Sequence, residues 1–243
     1  MPADSSHSIY KKFADLAPIL ERLDQRPEDV QSLRLLLGDK IEDSLQNRSD
    51  GLDFLLQAAL KLGMKASSAK LLRAAADVYG TDGLQAPVER ILKEAGVSRR
   101  TFYQHFQNTQ ELIQTLYVLV LSIGRLAIAL ELPSLDSPKK KVTYIGQAVF
   151  KFYRVGGLLM GKLSAESMGQ HSYLNPIYRH HLAVLCQWLA EGTSLSSSRV
   201  RYLLISLTAI VNDAQLNIES SPEEQTAIRE SIEDYIQIWC NSL

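Results

Sequence analysis

The sequence predicts an all-α protein, on three observations. Apolar residues recur at three- and four-residue spacing along nearly the whole chain. No segment shows the convincing apolar/polar alternation of a half-buried strand. Pro, Gly and Asp-Gly punctuation falls between the periodic stretches rather than within them. The pattern divides into an N-terminal helical extension (1–64), a three-helix helix-turn-helix unit (65–107) and a six-helix bundle (108–243). A chain of 243 residues, 46% of them hydrophobic, can fill cores of that size.

The extension reads as three amphipathic helices. Ile9, Phe13, Leu16, Leu20 and Leu23 form the first stripe, with coiled-coil-like spacing. Val30, Leu33, Leu36, Leu37, Ile41 and Leu45 form the second, and Leu52, Leu55, Ala58, Ala59 and Leu62 the third. Pro27 suits a first turn, while Asp50-Gly51 and Gly63 punctuate. Such stripes need a surface to cover. They either pack on their own subunit, the favoured reading, or cross to a second copy and lock a dimer. Met1 to Ser8 is polar and the helix after it amphipathic, so a signal peptide is not expected.

The next segment is the most informative. From Ser67, Leu71, Leu72, Ala75, Val78 and Tyr79 make one apolar face, ended by Gly80 and Thr81-Asp82-Gly83. Val88, Ile91, Leu92 and Ala95 make a second, with Pro87 in the first turn, where its missing N–H has no helical partner to lose. Gly96 stands where that helix must stop and reverse. Ser98 then caps a short third helix. Phe102 and Phe106 point back into the core, while Arg99 with Tyr103, and Arg100 with Gln104, form outward rows. Two crossed helices, the second showing a cationic and aromatic face, are the plan of a helix-turn-helix that enters the major groove of double-stranded DNA. An αα-hairpin with an accidental Arg pair is the plainer alternative.

Charge agrees modestly. Residues 65–107 carry net +3, against −3 before them and −1 after. A chain of net charge −1 and pI about 6.5 is no histone-like binder. Specific contacts and dimer symmetry must therefore supply much of any DNA affinity.

The bundle is expected as helices over 110–131, 138–153, 156–168, 176–191, 197–219 and 222–240. Leu182, Leu185, Leu189, Val200, Leu203, Leu204, Leu207, Ile210 and Val211 give the later ones apolar stripes, for a dimer interface or an internal core. Tyr117, Phe150, Tyr153, Met160, Met168 and Trp188 are candidates to line an apolar pocket. Few charges fall in these helices, which favours a small hydrophobic effector.

Other signals carry less. The lipid-like run 116–132 contains Ser122, Gly124, Arg125 and Glu131, so a buried helix is expected and no membrane span. Cys186 and Cys240 lack metal-ligand spacing and read as buried thiols of a cytoplasmic protein. Gly156 to Leu163 nearly matches a phosphate-binding loop, but Leu163 replaces the Mg²⁺-binding hydroxyl and no strand precedes it. His180 and His181 are adjacent, so on a helix they diverge and cannot share a metal as an i, i+4 pair could. Lys139 to Lys141 reads as a solvated face. No catalytic constellation, metal site or cofactor is expected.

The stretch Ala95 to Phe106, the apolar helix before it and Glu111-Leu112 after it resemble the tetracycline-repressor (TetR) family of bacterial regulators. The resemblance covers Ser67 to about Val118 and beyond that only the helical pattern. It implies that Arg99, Arg100 and Thr101 face bases or groove walls, that Tyr103 and His105 touch phosphates, and that Ser98 caps the recognition helix. It further implies a homodimer whose later helices pair across a two-fold axis, and a bundle that senses an effector. Three departures stand out. Ala86-Pro87 replaces the usual Thr or Ser, Leu92 replaces a small residue, and Thr109 replaces a Lys. Two of them remove phosphate contacts and should flatten the salt dependence of binding. The implied function is an effector-released regulator, read as a repressor with activation left open, on a palindromic operator. The alternatives are a helix-turn-helix used for protein interaction, or a helical carrier or enzyme for a lipid-like molecule.

Overall fold

The computed structural model describes residues 63–190, 196–216 and 222–241, with Leu20, Glu21, Asp24, Leu52, Asp53, Leu56, Gln57, Ala59 and Leu60. Among them every regular element is helical. In chain order these are α1 (Ala66–Asp82), α2 (Val88–Ala95), α3 (Arg99–Tyr103), α4 (Thr109–Glu131), a 3₁₀ turn (Leu132–Ser134), α5 (Pro138–Met168), α6 (Asn175–Ala190), α7 (Ser197–Leu216) and α8 (Pro222–Asn241).

The first four follow the sequence closely. Leu71, Leu72, Ala75, Val78 and Tyr79 of α1 are all buried, as the spacing predicts. Gly80, however, lies inside α1 rather than at its end. The helix closes two residues later, where the Thr81 hydroxyl donates to the Asp77 and Val78 carbonyls and Gly83 turns away at φ 93°. Pro87 is the residue before α2 rather than part of its first turn. Asn108 Oδ1 caps α4 by accepting from the Glu111 N–H at 2.8 Å, and Glu111 Oε2 accepts in return from the Gln107 N–H at 2.7 Å.

The bundle differs from expectation in one element. The separate helices expected over 138–153 and 156–168 are one helix, α5, which runs through Gly156-Gly157. Two glycines cost about 2 kcal/mol of helix propensity, a penalty that packing on several neighbours outweighs. α5 lies against α1, α4, α6, α7 and α8 and is the central strut of the fold. Six expected helices therefore become five. Near the start of α5, a Cβ on Gly146 would stand 2.5 Å from Ile236 Cδ1, so this glycine lets α8 approach closely.

One core runs from α1 into the bundle. Leu182, Leu185, Leu189, Val200, Leu203, Leu204 and Leu207 are buried within it, so these stripes are internal core. Ile210 is partly buried, and the side chain of Val211 lies outside the described residues. The exposed apolar side chains of α7 and α8 are different ones, Tyr202 at 66% and Ile238 at 67% exposure. Cys186 is buried, and burial raises its thiol to about 11; the side chain of Cys240 lies outside the described residues.

Most of the extension also lies outside the described residues, its first two expected helices almost entirely. Where it is described, it packs on its own chain. Leu20, Leu52, Leu56 and Ala59 are buried in the common core. Asp53 pairs with Arg73 of α1 at 3.1 Å.

Candidate nucleic-acid interface

The turn between α2 and α3 is built from backbone chemistry. Gly96 sits in the left-handed region (φ 63°, ψ 35°), where a side chain would be strained. Its N–H donates to the Lys93 carbonyl at 3.3 Å, and the next N–H, of Val97, reaches back to Leu92 at 3.2 Å. These are the paired bonds of a Schellman stop, and Val97 packs against the core beside them. Two residues on, Ser98 Oγ accepts the Thr101 N–H at 3.1 Å and opens α3. The chain thus reverses and restarts as a helix within three residues.

α3 is held from below by two aromatic anchors. Phe102 and Phe106 are buried, their ring centroids 5.9 Å apart. Tyr103 is 57% exposed and meets Phe102 edge-on at 5.2 Å. Arg99, Arg100 and Gln104 are exposed beside it, and Thr101 is partly so. The two outward rows read from the sequence are present: a cationic, aromatic surface about one and a half turns long.

Arg99 and His105 are engaged by side chains of other helices. Arg99 forms an ion pair with Glu89 of α2, both side chains about 60% exposed. His105 is partly buried, and its Nε2 lies 2.6 Å from Ser67 Oγ at the start of α1. Arg90 pairs with Asp82 at 3.1 Å, which, after the Thr81 hydroxyl bond, helps hold that carboxyl below its ordinary value. Glu89 and Ser67 were not legible as site residues. Glu89 lies across a turn from Arg99, and Ser67 is 38 residues from His105, separations that no helical period marks.

Lys162 links this unit to the bundle. It is the lysine of the segment that nearly matches a phosphate loop, and that segment is helical here. Its Nζ donates to the Gly80 carbonyl at 2.9 Å and lies 3.4 Å from the carbonyls of Tyr79 and Thr81. A cation thus sits on the last carbonyls of α1, where the helix dipole favours it. Beneath them, burial raises the Tyr79 phenol.

Four of the six pocket candidates have described side chains, and their surroundings differ. The Tyr117 hydroxyl donates to Ser167 Oγ at 2.9 Å inside the core. Met160 and Trp188 are buried, Met168 is exposed, and the side chains of Phe150 and Tyr153 lie outside the described residues. A cavity between α4, α5, α6 and α7 is lined instead by Leu121, Ile128, Tyr178, His181, Leu182 and Leu204, among others. About 30 Å³ of it is open to water centres, room for roughly two waters. Among the described residues no cluster of His, Cys, Asp and Glu could hold a metal, and no helix is long and apolar enough to cross a membrane.

Residues 71–116, from the middle of α1 into α4, match the family model described as bacterial regulatory proteins, tetR family. No curated protein and no solved structure matches the chain. The match covers the whole Gly96 turn, the Ser98 cap and the Phe102–Phe106 anchor. Residues 71–116 are thus similar to the DNA-binding domain of tetR-family bacterial regulatory proteins, which supports a DNA-binding transcriptional regulator.

Proposed function

We propose that the protein is an effector-responsive repressor that binds a palindromic operator as a homodimer. Ser98 caps the recognition helix, and Arg99, Arg100, Thr101, Tyr103, Gln104 and His105 meet the DNA. The observation that carries this reading is the geometry of α3. Its first turn shows two arginines to solvent while Phe102 and Phe106 fix its orientation. Arg99 and Arg100 are the base readers, since a guanidinium can take guanine O6 and N7 together. Tyr103 and Gln104 lie one turn on, and His105, held by Ser67, reaches the groove edge.

Dimer symmetry would set the two α3 helices about 34–36 Å apart, or a multiple of it. Among the described residues, Tyr202 on α7 and Ile238 on α8 offer exposed apolar surface for the two-fold contact. The effector belongs in the bundle. α4 starts at the end of the helix-turn-helix unit and lines the bundle cavity, so a shift of α4 changes the spacing of the two α3 helices. A ligand that prefers the wrong spacing releases DNA; without a differential affinity nothing shifts.

The test is selection of bound duplexes from a genomic library, with wild type beside Arg99→Ala/Arg100→Ala. The expected result is a palindrome enriched by the wild type and lost, by at least about 100-fold in affinity, in the double variant. Equal enrichment by both proteins, or none by the wild type at low salt, sinks the reading.

A further inference from the structure

A charged cluster at the centre of the bundle takes no part in DNA contact. Arg125 sits in the middle of α4 with its side chain only 2% exposed. Its guanidinium lies 3.0 Å from Asp24 Oδ1, 3.1 Å from Ser122 Oγ and 3.3 Å from His181 Nδ1. Asp24, its own side chain 10% exposed, also meets His180 Nε2. A charge this deep needs a counter-ion, because an unmatched one costs several kcal/mol. Among the described residues its counter-ion, Asp24, comes from the N-terminal extension.

The cavity begins beside this pair. His181, in contact with Arg125, is part of its lining, as are Leu121 and Ile128 on the same side of α4 as Arg125. One turn before His181 on α6, the Tyr178 hydroxyl is shut off from solvent beside Thr208. Both residues line the cavity, and the rest of the wall is mostly aliphatic. A cationic head, an aliphatic body and a buried hydroxyl describe a receptor for a small organic acid. A guanidinium suits a carboxylate because it can offer two parallel N–H donors.

We propose that Arg125 and His181 form the head-group site for a small monocarboxylate with an apolar body, and that Asp24 is a built-in occupant which this ligand displaces. The proposal deepens the effector reading above and rests on it. The cavity admits roughly two waters with Asp24 in place, so the carboxylate of a ligand needs the position that the Asp24 carboxylate holds. Entry of the acid and departure of Asp24 are then one event. Asp24 spans Arg125 on α4 and His180 on α6, so its release loosens the helix that carries the DNA-binding unit.

The experiment titrates straight-chain monocarboxylates of two to eight carbons, and their primary amides, into the full chain and its Asp24→Asn variant by calorimetry. Operator affinity is measured in parallel. At least one acid should bind the wild type saturably, about tenfold more tightly once the internal competitor is gone, while the amides do not bind. Acid binding should also speed proteolysis of the extension in the wild type, a readout that stands even if Asp24→Asn fails to fold. The proposal is overturned if no acid binds the wild type, if an amide binds as well as its acid, if Asp24→Asn binds no tighter, or if cleavage is unchanged. Acid binding that frees the extension but leaves operator affinity untouched upholds the head-group site and removes the effector role.

Discussion

The helix-turn-helix unit and the bundle treat their polar groups in opposite ways. In the first, Arg99, Arg100, Tyr103 and Gln104 stand in solvent, and what orients them lies within ten residues: the Gly96 turn, the Ser98 cap and the Phe102–Phe106 anchor. In the second, Tyr117, Ser122, Arg125 and Ser167 are buried. Tyr117 is joined to Ser167 on another helix and Arg125 to Asp24 in the extension. A surface that recognises a partner can change with little cost to the fold. A buried polar network cannot, because each group left without its partner keeps its desolvation cost.

The sharpest way to break this contrast is a pair of neighbours on α3. Phe102→Ala empties a fully buried site and should cost about 3–5 kcal/mol in urea denaturation. Tyr103→Ala removes an exposed ring and one edge-on contact, a loss of about 1 kcal/mol at most. In operator titrations by fluorescence anisotropy, Tyr103→Ala should nevertheless weaken binding by about tenfold, by loss of a phosphate contact and its packing. Equal destabilisation by the two substitutions would show that α3 is not divided into an anchoring and a reading face.

The same contrast explains what the sequence disclosed. Gly96, Ser98 and Phe102 with Phe106 act over one to four residues, so type and spacing revealed both the turn and the faces it creates. The register of α1 and α2 was legible for the same reason. The Gly156-Gly157 break was not, because local propensity is a weak prior and α5 is held by neighbours on several sides. Leu185 and Leu203 read equally as interface or core, since periodicity gives a buried face but not its partner. Arg125 was legible only as an argument against a membrane span. Its pairing with Asp24 joins two segments that carry no common pattern, and only the folded chain brings them together. Aromatic and Met side chains suggested a pocket, yet the cavity is walled mainly by aliphatic residues, whose spacing is that of ordinary core.

A medium-sized effect should come from pH, through the bundle. Burial first, then the charges of Arg125 and His180, hold His181 well below its ordinary value of 6.5. The groups facing it are Arg125, His180 and, through both, Asp24. With the folded value depressed, His181 stays neutral in the native state while the unfolded chain takes up a proton below about pH 6.5. Stability from this group is therefore complete above pH 6.5 and falls as pH drops, by up to about 1.4 kcal/mol per unit. Urea midpoints between pH 7.5 and 5.5, above the ordinary carboxylate range, should decline in the wild type and flatten in His181→Gln. Parallel declines in the two proteins would mean that the burial of His181 is not what the bundle's pH response reports.

The smallest effect should appear on the exposed side, at Glu89. Its carboxylate holds Arg99 from the neighbouring helix, where both groups are more than half solvated. A pair so exposed contributes little to stability, so Glu89→Gln should leave the urea midpoint within about 0.5 kcal/mol. Its influence falls on binding instead. Arg99 must turn from Glu89 toward DNA, and the carboxylate left behind repels phosphates from the edge of the surface. Removing that charge should tighten operator binding by about threefold at low salt, with the gain shrinking as the Debye length contracts. Anisotropy titrations from 50 to 300 mM salt would show this as two lines that converge. Weaker binding by the variant would instead mean that Glu89 aligns Arg99 for the groove, making the ion pair part of the reading geometry rather than a brake on it.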